Sequence, residues 1–182
     1  MSHRRLSSFV MLLLGVAACA VAAPATPPRE GDVVLRDFRF TSGEHLDALR
    51  LHYLTLGQPH RDAAGHIDNA VLVLHGTGGA GRNFLTPVFA NVLYPAGGAL
   101  DTTRYWVILP DGIGHGASSK PSDGLHMRFP RYGYTDMVEA QFRLLTEGLG
   151  VTHLRLVMGT SMGGMHTWVW ATRHPEFMDA LM

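Results

Sequence analysis

Cysteine is almost missing from this chain of 182 residues: Cys19 is the only one. A disulfide framework is thereby excluded, and so are cysteine-rich zinc sites. A surplus of charge of one sign is missing too, because 15 Lys and Arg balance 15 Asp and Glu. Composition therefore gives no reason to expect nucleic acid as a partner. His residues number 11, but none stands in an H-E-x-x-H or other compact metal spacing, so no metal centre is expected. His45, His52, His60 and His66 read as surface or loop residues. No internal repeat occurs, and no low-complexity tract beyond the leader. What is present is 46% hydrophobic and 16% charged residues. That suits one α/β domain with a real core, and not a disordered or fibrous chain.

The amino terminus differs in kind from the rest. Met1 to Arg5 is basic, Phe9 to Ala23 is apolar and small, and Pro24 to Arg29 is Pro-rich. This is the pattern of a secretory signal, with a cut after Ala22 that fits the small-x-small rule. The expected division is a signal peptide over 1–22 and a domain over 23–182, secreted or periplasmic. The apolar run is interrupted and shorter than the ~20 residues a transmembrane helix needs. An uncleaved anchor is the alternative to cleavage. Val16-Ala17-Ala18-Cys19 also resembles a bacterial lipobox, so a lipoprotein anchored at Cys19 is a second alternative. Removing the leader takes away Arg4 and Arg5 and no acid, leaving two more acids than bases.

Val33 to Phe40 and Leu49 to Thr55 alternate apolar and polar residues and read as an antiparallel strand pair, with "TSGEHLDA" as the connection. Ala70 to Leu74, Tyr105 to Leu109 and Leu154 to Met158 are short continuous apolar runs. Such runs fit strands buried on both faces, as in a parallel sheet covered by helices. A helix is expected from Thr135, as N-cap, to Leu149, with Glu139 bonding back and Gly148 and Gly150 ending it. A second helix follows Ser161 and runs to Arg173, before Pro175. The order predicts a mixed, mostly parallel sheet with helices on both faces.

Each of the three buried runs ends in a special turn, and ligand sites in such sheets lie at these carboxyl ends. The first is His75-Gly76-Thr77-Gly78-Gly79-Ala80-Gly81. Gly76 to Gly81 satisfies G-x-G-x-x-G, with Asp111 after a later strand as a ribose acceptor. That dinucleotide reading requires the fingerprint to open a helix directly. The stronger reading is an oxyanion loop, whose glycines let backbone N–H groups approach a substrate carbonyl. The second turn, Asp111 to Ser119, reads as structural, with His115 packing the loop. The third, Gly159-Thr160-Ser161-Met162-Gly163, has the form of a nucleophile elbow between a strand and a helix. Gly159 and Gly163 are small enough for the sharp turn, Ser161 is raised above the sheet, and the Met162 N–H faces the oxyanion.

These stretches resemble the α/β-hydrolase superfamily and, within it, the homoserine O-acetyltransferase-like family. The resemblance covers about Asp37 to Met182 and rests on "LVLHGTGGAG", "LPDGIGHGASSKPSDG", "FPRYGYTDMVEAQ" and "GTSMGGMHTWVWATRHPEFMDAL". It implies Ser161 as the nucleophile and the Met162 and Thr77 N–H groups as the oxyanion hole, supported by Gly159, Gly163, His75, Gly76 and Gly78. It implies acyl transfer or ester hydrolysis, a small-molecule ester or acyl donor as partner, and no cofactor beyond acyl-CoA as a co-substrate. The chain departs from the family in its more glycine-rich turn at His75 to Gly79. It also carries Tyr134-Thr135 before Asp136, where the family usually has an Ile-Arg pair, and an export leader. Water as the acceptor is therefore kept beside homoserine.

The superfamily order is Ser, then Asp or Glu, then His. After Ser161 come only His166, inside the same helix and turned away from the elbow, and His174, a full helix distant. Neither is expected to take the serine proton. The expectation is that the catalytic acid and His are absent from these residues and that the sequence is the amino-terminal part of the domain. The other reading is a non-catalytic remnant or binding module. "LRLVM" is further expected to be an unpaired apolar edge and residues 23–182 to be poorly soluble.

Overall fold

The computed structural model describes residues 27–182. The leader, its cut after Ala22 and Cys19 lie outside the described residues. The first two strands, β1 (Arg29–Arg39) and β2 (His45–Leu56), run further than the alternation suggested. They pair antiparallel, with Val33 opposite Leu51 and Leu35 opposite Leu49. The turn between them is short: Gly43 N–H donates to the Phe40 carbonyl and Phe40 N–H to that of Glu44, both at 2.9 Å. His45 to Ala48, expected in the connection, is therefore strand.

Three inner strands follow: β3 (Ala70–Leu74), β4 (Trp106–Pro110) and β5 (Leu156–Gly159). The sheet order is β1-β2-β4-β3-β5. β2 meets β4 antiparallel, whereas β3 runs parallel to both β4 and β5. The helices are α1 (Pro87–Leu93), α2 (Tyr134–Arg143), continued by a π turn over Leu144–Gly148, and α3 (Met162–Arg173).

Successive residues of a strand face opposite sides of the sheet, which explains the continuous apolar runs. Leu72, Leu74 and Ile108 pack on one side with Val138, Leu145 and Trp170 of the α2–α3 layer. Val71, Val73, Val107 and Leu109 pack on the other side with Phe84 and Tyr94. This is the mixed, mostly parallel sheet covered on both faces that the sequence predicts.

Two local expectations are corrected. α2 starts at Tyr134 with Gly133 in the cap position, so Thr135 is not the N-cap. Asp136 takes over that work. Its carboxylate accepts the Gly133 N–H at 2.8 Å and, from the β1–β2 turn, the Thr41 N–H at 2.6 Å and hydroxyl at 2.9 Å. An acid in the first turn suits the helix dipole and here also ties α2 to the sheet. The outer edge of β5 is not bare either. Val157 N–H donates to the Ala180 carbonyl and Gly159 N–H to that of Met182, both at 3.0 Å. Residues 178–182 thus pair with β5, and the premise of an unpaired edge does not hold. Exposed apolar groups occur elsewhere, among them Met127, Trp168, Val88 and Met182.

Between α2 and α3 lies a buried polar chain. Trp170 Nε1–H, a donor only, bonds Gln141 Oε1 at 3.0 Å. The Gln141 amide group must then face His166 Nδ1, 3.3 Å away, so His166 carries its proton on Nε2. His166 is 1% exposed, and burial pushes its pKa down from 6.5 to about 4. The unfolded chain therefore binds this proton more readily than the folded one. The associated stability is complete above pH 6.5 and is lost as pH falls towards 4. Urea denaturation across that window is expected to show stability falling by up to roughly 1.4 kcal/mol per pH unit for this group. His166→Phe should flatten the slope. An unchanged slope would show that this ring does not titrate on unfolding.

Candidate active site

β5 ends at Gly159 and α3 begins at Met162, so the chain reverses over Thr160 and Ser161. The turn is anchored where Thr160 N–H donates to the carbonyl of Leu74, the last residue of β3, at 3.1 Å. Ser161 sits at φ 53°, ψ −115°, a left-handed region that a side chain rarely adopts. Its neighbours leave no room for one of their own. A Cβ on Gly159 would lie 2.2 Å from the Gly163 backbone, and one on Gly163 would lie 2.1 Å from the Leu74 carbonyl oxygen. The tight packing of strand end on helix start thus requires glycine at both positions and pushes Ser161 outward, where it is exposed.

The glycine turn after β3 lies against this elbow. A Cβ on Gly76 would come within 3.3 Å of Ser161 Cβ. The turn closes where Gly79 N–H donates to the Gly76 carbonyl at 3.0 Å, with Gly78 inside it at φ +71°. Among the described residues neither Thr77 N–H nor Met162 N–H has an intramolecular acceptor. Two backbone donors, one on the residue after Gly76 and one on the residue after Ser161, are therefore left without a protein partner.

His75 and Asp111 hold these turns. His75, 4% exposed, donates Nδ1–H to the Gly76 carbonyl at 2.8 Å and accepts the Gly112 N–H on Nε2 at 2.9 Å. Both ring nitrogens are committed, and burial first of all holds its pKa below 6.5, so the ring is neutral. Asp111 accepts the Gly81 N–H at 2.7 Å and the Ala117 N–H at 2.8 Å. The ribose-acceptor reading of Asp111 fails on this geometry. Gly81, moreover, begins a 3₁₀ turn (Gly81–Leu85) and not the α-helix a dinucleotide fingerprint opens. His115 packs the second turn through Nδ1 on the Ile113 carbonyl at 3.0 Å.

The other imidazoles after the elbow are occupied elsewhere. His166 faces Gln141, and His174 stacks on Phe142 with ring centroids 4.0 Å apart. Among the described residues, no His ring is hydrogen-bonded to Ser161. Sequence reasoning overlooked a small pocket beside the elbow, built by Asn83, Phe84 and Phe89. No motif marks these residues; only the apolar spacing across the Gly81–Leu93 stretch hints at them.

A serine at positive φ between a parallel strand and a helix, facing a glycine turn, defines a class. The chain belongs to the alpha/beta hydrolase fold family, which it matches over residues 69–182. It is a relative of the homoserine O-acetyltransferases. It is 37% identical over 164 residues to the homoserine O-acetyltransferase of Pelobacter propionicus, covering 81% of this chain and 43% of that one. Among solved structures, an acetylester hydrolase from Corynebacterium glutamicum matches with TM-score 0.74 and 26% identity, over 84% of this chain and 43% of that one. The homoserine O-acetyltransferase from Staphylococcus aureus matches with TM-score 0.68 and 26% identity, over 85% and 46%. The chain spans less than half the length of the curated relatives it matches.

Proposed function

We propose that this chain carries the nucleophile and oxyanion hole of a serine acyl-transfer enzyme acting on small-molecule esters. The observation that carries this reading is Ser161 at φ 53°, held between two glycines that admit no Cβ. Ser161 Oγ attacks the ester carbonyl, and the oxygen that gains charge is received by the Thr77 and Met162 N–H groups. The adduct collapses as the ester C–O bond breaks and the alcohol departs with the serine proton, and the acyl group then passes from Ser161 to water or to an acceptor hydroxyl, which returns a proton to the serine. Relatives named as hydrolases and as acetyltransferases occur side by side, so both outcomes belong to the proposal, with acyl-CoA as donor only in the transferase case. Tyr134-Thr135 in place of an Ile-Arg pair favours water over homoserine. The leader makes the enzyme secreted or periplasmic, or lipid-anchored at Cys19.

Full turnover needs a base at Ser161 Oγ that the described residues do not place there. The oxyanion hole and binding alone sustain about 10³–10⁴-fold over water in a triad enzyme stripped of its triad. The second reading is a non-catalytic module of the same fold. A fluorophosphonate probe read by intact mass separates the two. One adduct on the wild type and none on Ser161→Ala is the expected result. No adduct on either protein would support the module.

A further inference from the structure

The loop between β4 and α2 lifts apolar side chains away from the protein. Met127 is 98% exposed and Leu125 37%. Both stand on an ordered turn: Arg128 N–H donates to the Leu125 carbonyl at 2.8 Å and Phe129 N–H to that of His126 at 3.1 Å. Beside Met127 runs a groove of about 650 Å³, lined by Pro121, Phe129 and Pro130, with His126 and Arg131 among its polar residues. We propose that this loop is a docking tip for the surface of an anionic lipid bilayer, with Met127 entering below the headgroups and Arg128 remaining at their level.

Charge decides the partner. The two acids beside the tip are already held. Asp123 lies 2.9 Å from Lys120 Nζ, and Glu44 accepts the Arg131 N–H at 3.0 Å and faces its guanidinium at 3.5 Å. Arg128 and His126 flank Met127 in sequence and are both exposed. Neither has an acidic partner among the described residues. Lys120, Arg128 and Arg131 thus outnumber Asp123 and Glu44 around a projecting apolar point. The centre of a protein–protein interface is depleted in charge. A bilayer surface instead takes up an apolar tip while arginine side chains reach back to the headgroups. Among the described residues no helix is long and apolar enough to cross a membrane, so the contact is one of surface docking.

The tip lies at the end of the sheet that carries Ser161. β2 pairs with β4 only as far as Tyr53 opposite Pro110. His45 to His52 therefore run on past the carboxyl end of β4, still paired with β1. The loop is fastened to this projecting hairpin: Ser119 N–H donates to the Arg50 carbonyl at 2.8 Å, and Arg131 N–H to Glu44. Ser161 follows the carboxyl end of β5, which runs parallel to β3 as β3 does to β4. Docking through Met127 therefore holds the elbow on the membrane side of the molecule, facing esters dissolved at the interface. The docking itself does not depend on the serine acyl-transfer reading.

The test uses the full chain carrying Cys19→Ser and Leu125→Cys, with an environment-sensitive fluorophore on the new thiol. Vesicles of phosphatidylglycerol and phosphatidylcholine in equal parts should raise and blue-shift its emission, and vesicles of phosphatidylcholine alone should not. The lipid concentration giving half the rise should grow about fivefold with Arg128→Gln, the worth of one cation at an anionic surface. With Met127→Ser it should grow at least about tenfold. Both side chains are exposed, so neither change threatens the fold. Salt at about 1 M, where the screening length is ~3 Å, should abolish the rise. The same fluorophore on Ala63→Cys, exposed in the loop before β3 at the opposite end of the sheet, should not respond. No rise with either vesicle, an equal rise with phosphatidylcholine, an equal rise at Ala63→Cys, or a rise that neither variant moves would overturn the proposal. A rise without lipid that grows with protein concentration and is lost with Met127→Ser would also overturn it, because a second copy of the chain then covers the tip.

Discussion

Ser161→Gly is expected to melt higher than the wild type while losing all covalent labelling. The argument is conformational. A serine at φ 53°, ψ −115° pays about 1–3 kcal/mol for a sparsely populated backbone region. Glycine adopts positive φ without a Cβ penalty but brings a looser unfolded chain, which costs about 0.4–1 kcal/mol. The balance is a gain of about 1 kcal/mol, or roughly 2–4 °C in melting temperature for a chain of this size. Ser161→Ala isolates the cause, because alanine keeps the Cβ and therefore the strain. It should lose labelling equally but melt close to the wild type. Thermal melts of the three proteins decide the matter. If the glycine variant melts no higher than the alanine variant, the elbow is not strained. Stability given up at one residue in order to aim its hydroxyl is the usual mark of a functional position.

What the sequence made legible and what it hid divide by range. The elbow is local: Gly159, Ser161 and Gly163 sit within one turn, and the strand before and helix after are visible as an apolar run and a stretch that ends before Pro175. β3 is likewise complete in five letters, Ala70 to Leu74, because burial on both faces leaves a continuous apolar signature. Asp136 was hidden because its partner Thr41 lies 95 residues away; nothing near it in sequence marks a carboxylate that joins two layers. The pairing of residues 178–182 along β5 was hidden, because nothing in either stretch names the other as its partner. Phe84 and Phe89 look like any core aromatics, and only the folded turn shows that both line a cavity beside the elbow. Asp111 shows the opposite case, in which the sequence offered a competing role beside the structural one. A local motif supplied a ready role, and the hydrogen bonds that actually occupy it come from Gly81 and Ala117.

Asp111→Ala carries the largest expected loss of stability. The carboxylate is 3% exposed and accepts two backbone N–H groups, one from the turn after β3 and one from the turn after β4. Removing it leaves the buried Gly81 N–H and the half-buried Ala117 N–H without a partner, at about 1–3 kcal/mol each, the second towards the low end. Gly116 has already yielded its side chain to this contact, since a Cβ there would lie 2.0 Å from Asp111 Oδ2. Alanine would therefore leave a void that the neighbouring turn cannot fill. A loss of about 3–5 kcal/mol is expected, seen as a lower urea midpoint with an unchanged slope. Asp111→Asn should recover only part of it, because an amide offers one acceptor and turns its own N–H towards a second donor. Labelling of Ser161, measured where circular dichroism shows the variant still folded, should also slow, since the glycine turn loses the tie at its carboxyl end. A ligand-binding carboxylate would behave in the opposite way. Its removal would leave the melting temperature unchanged or higher, and a dinucleotide would stabilise the wild type but not the variant. The two backbone bonds at 2.7 and 2.8 Å occupy one oxygen each and leave the ribose reading no oxygen free of a backbone partner.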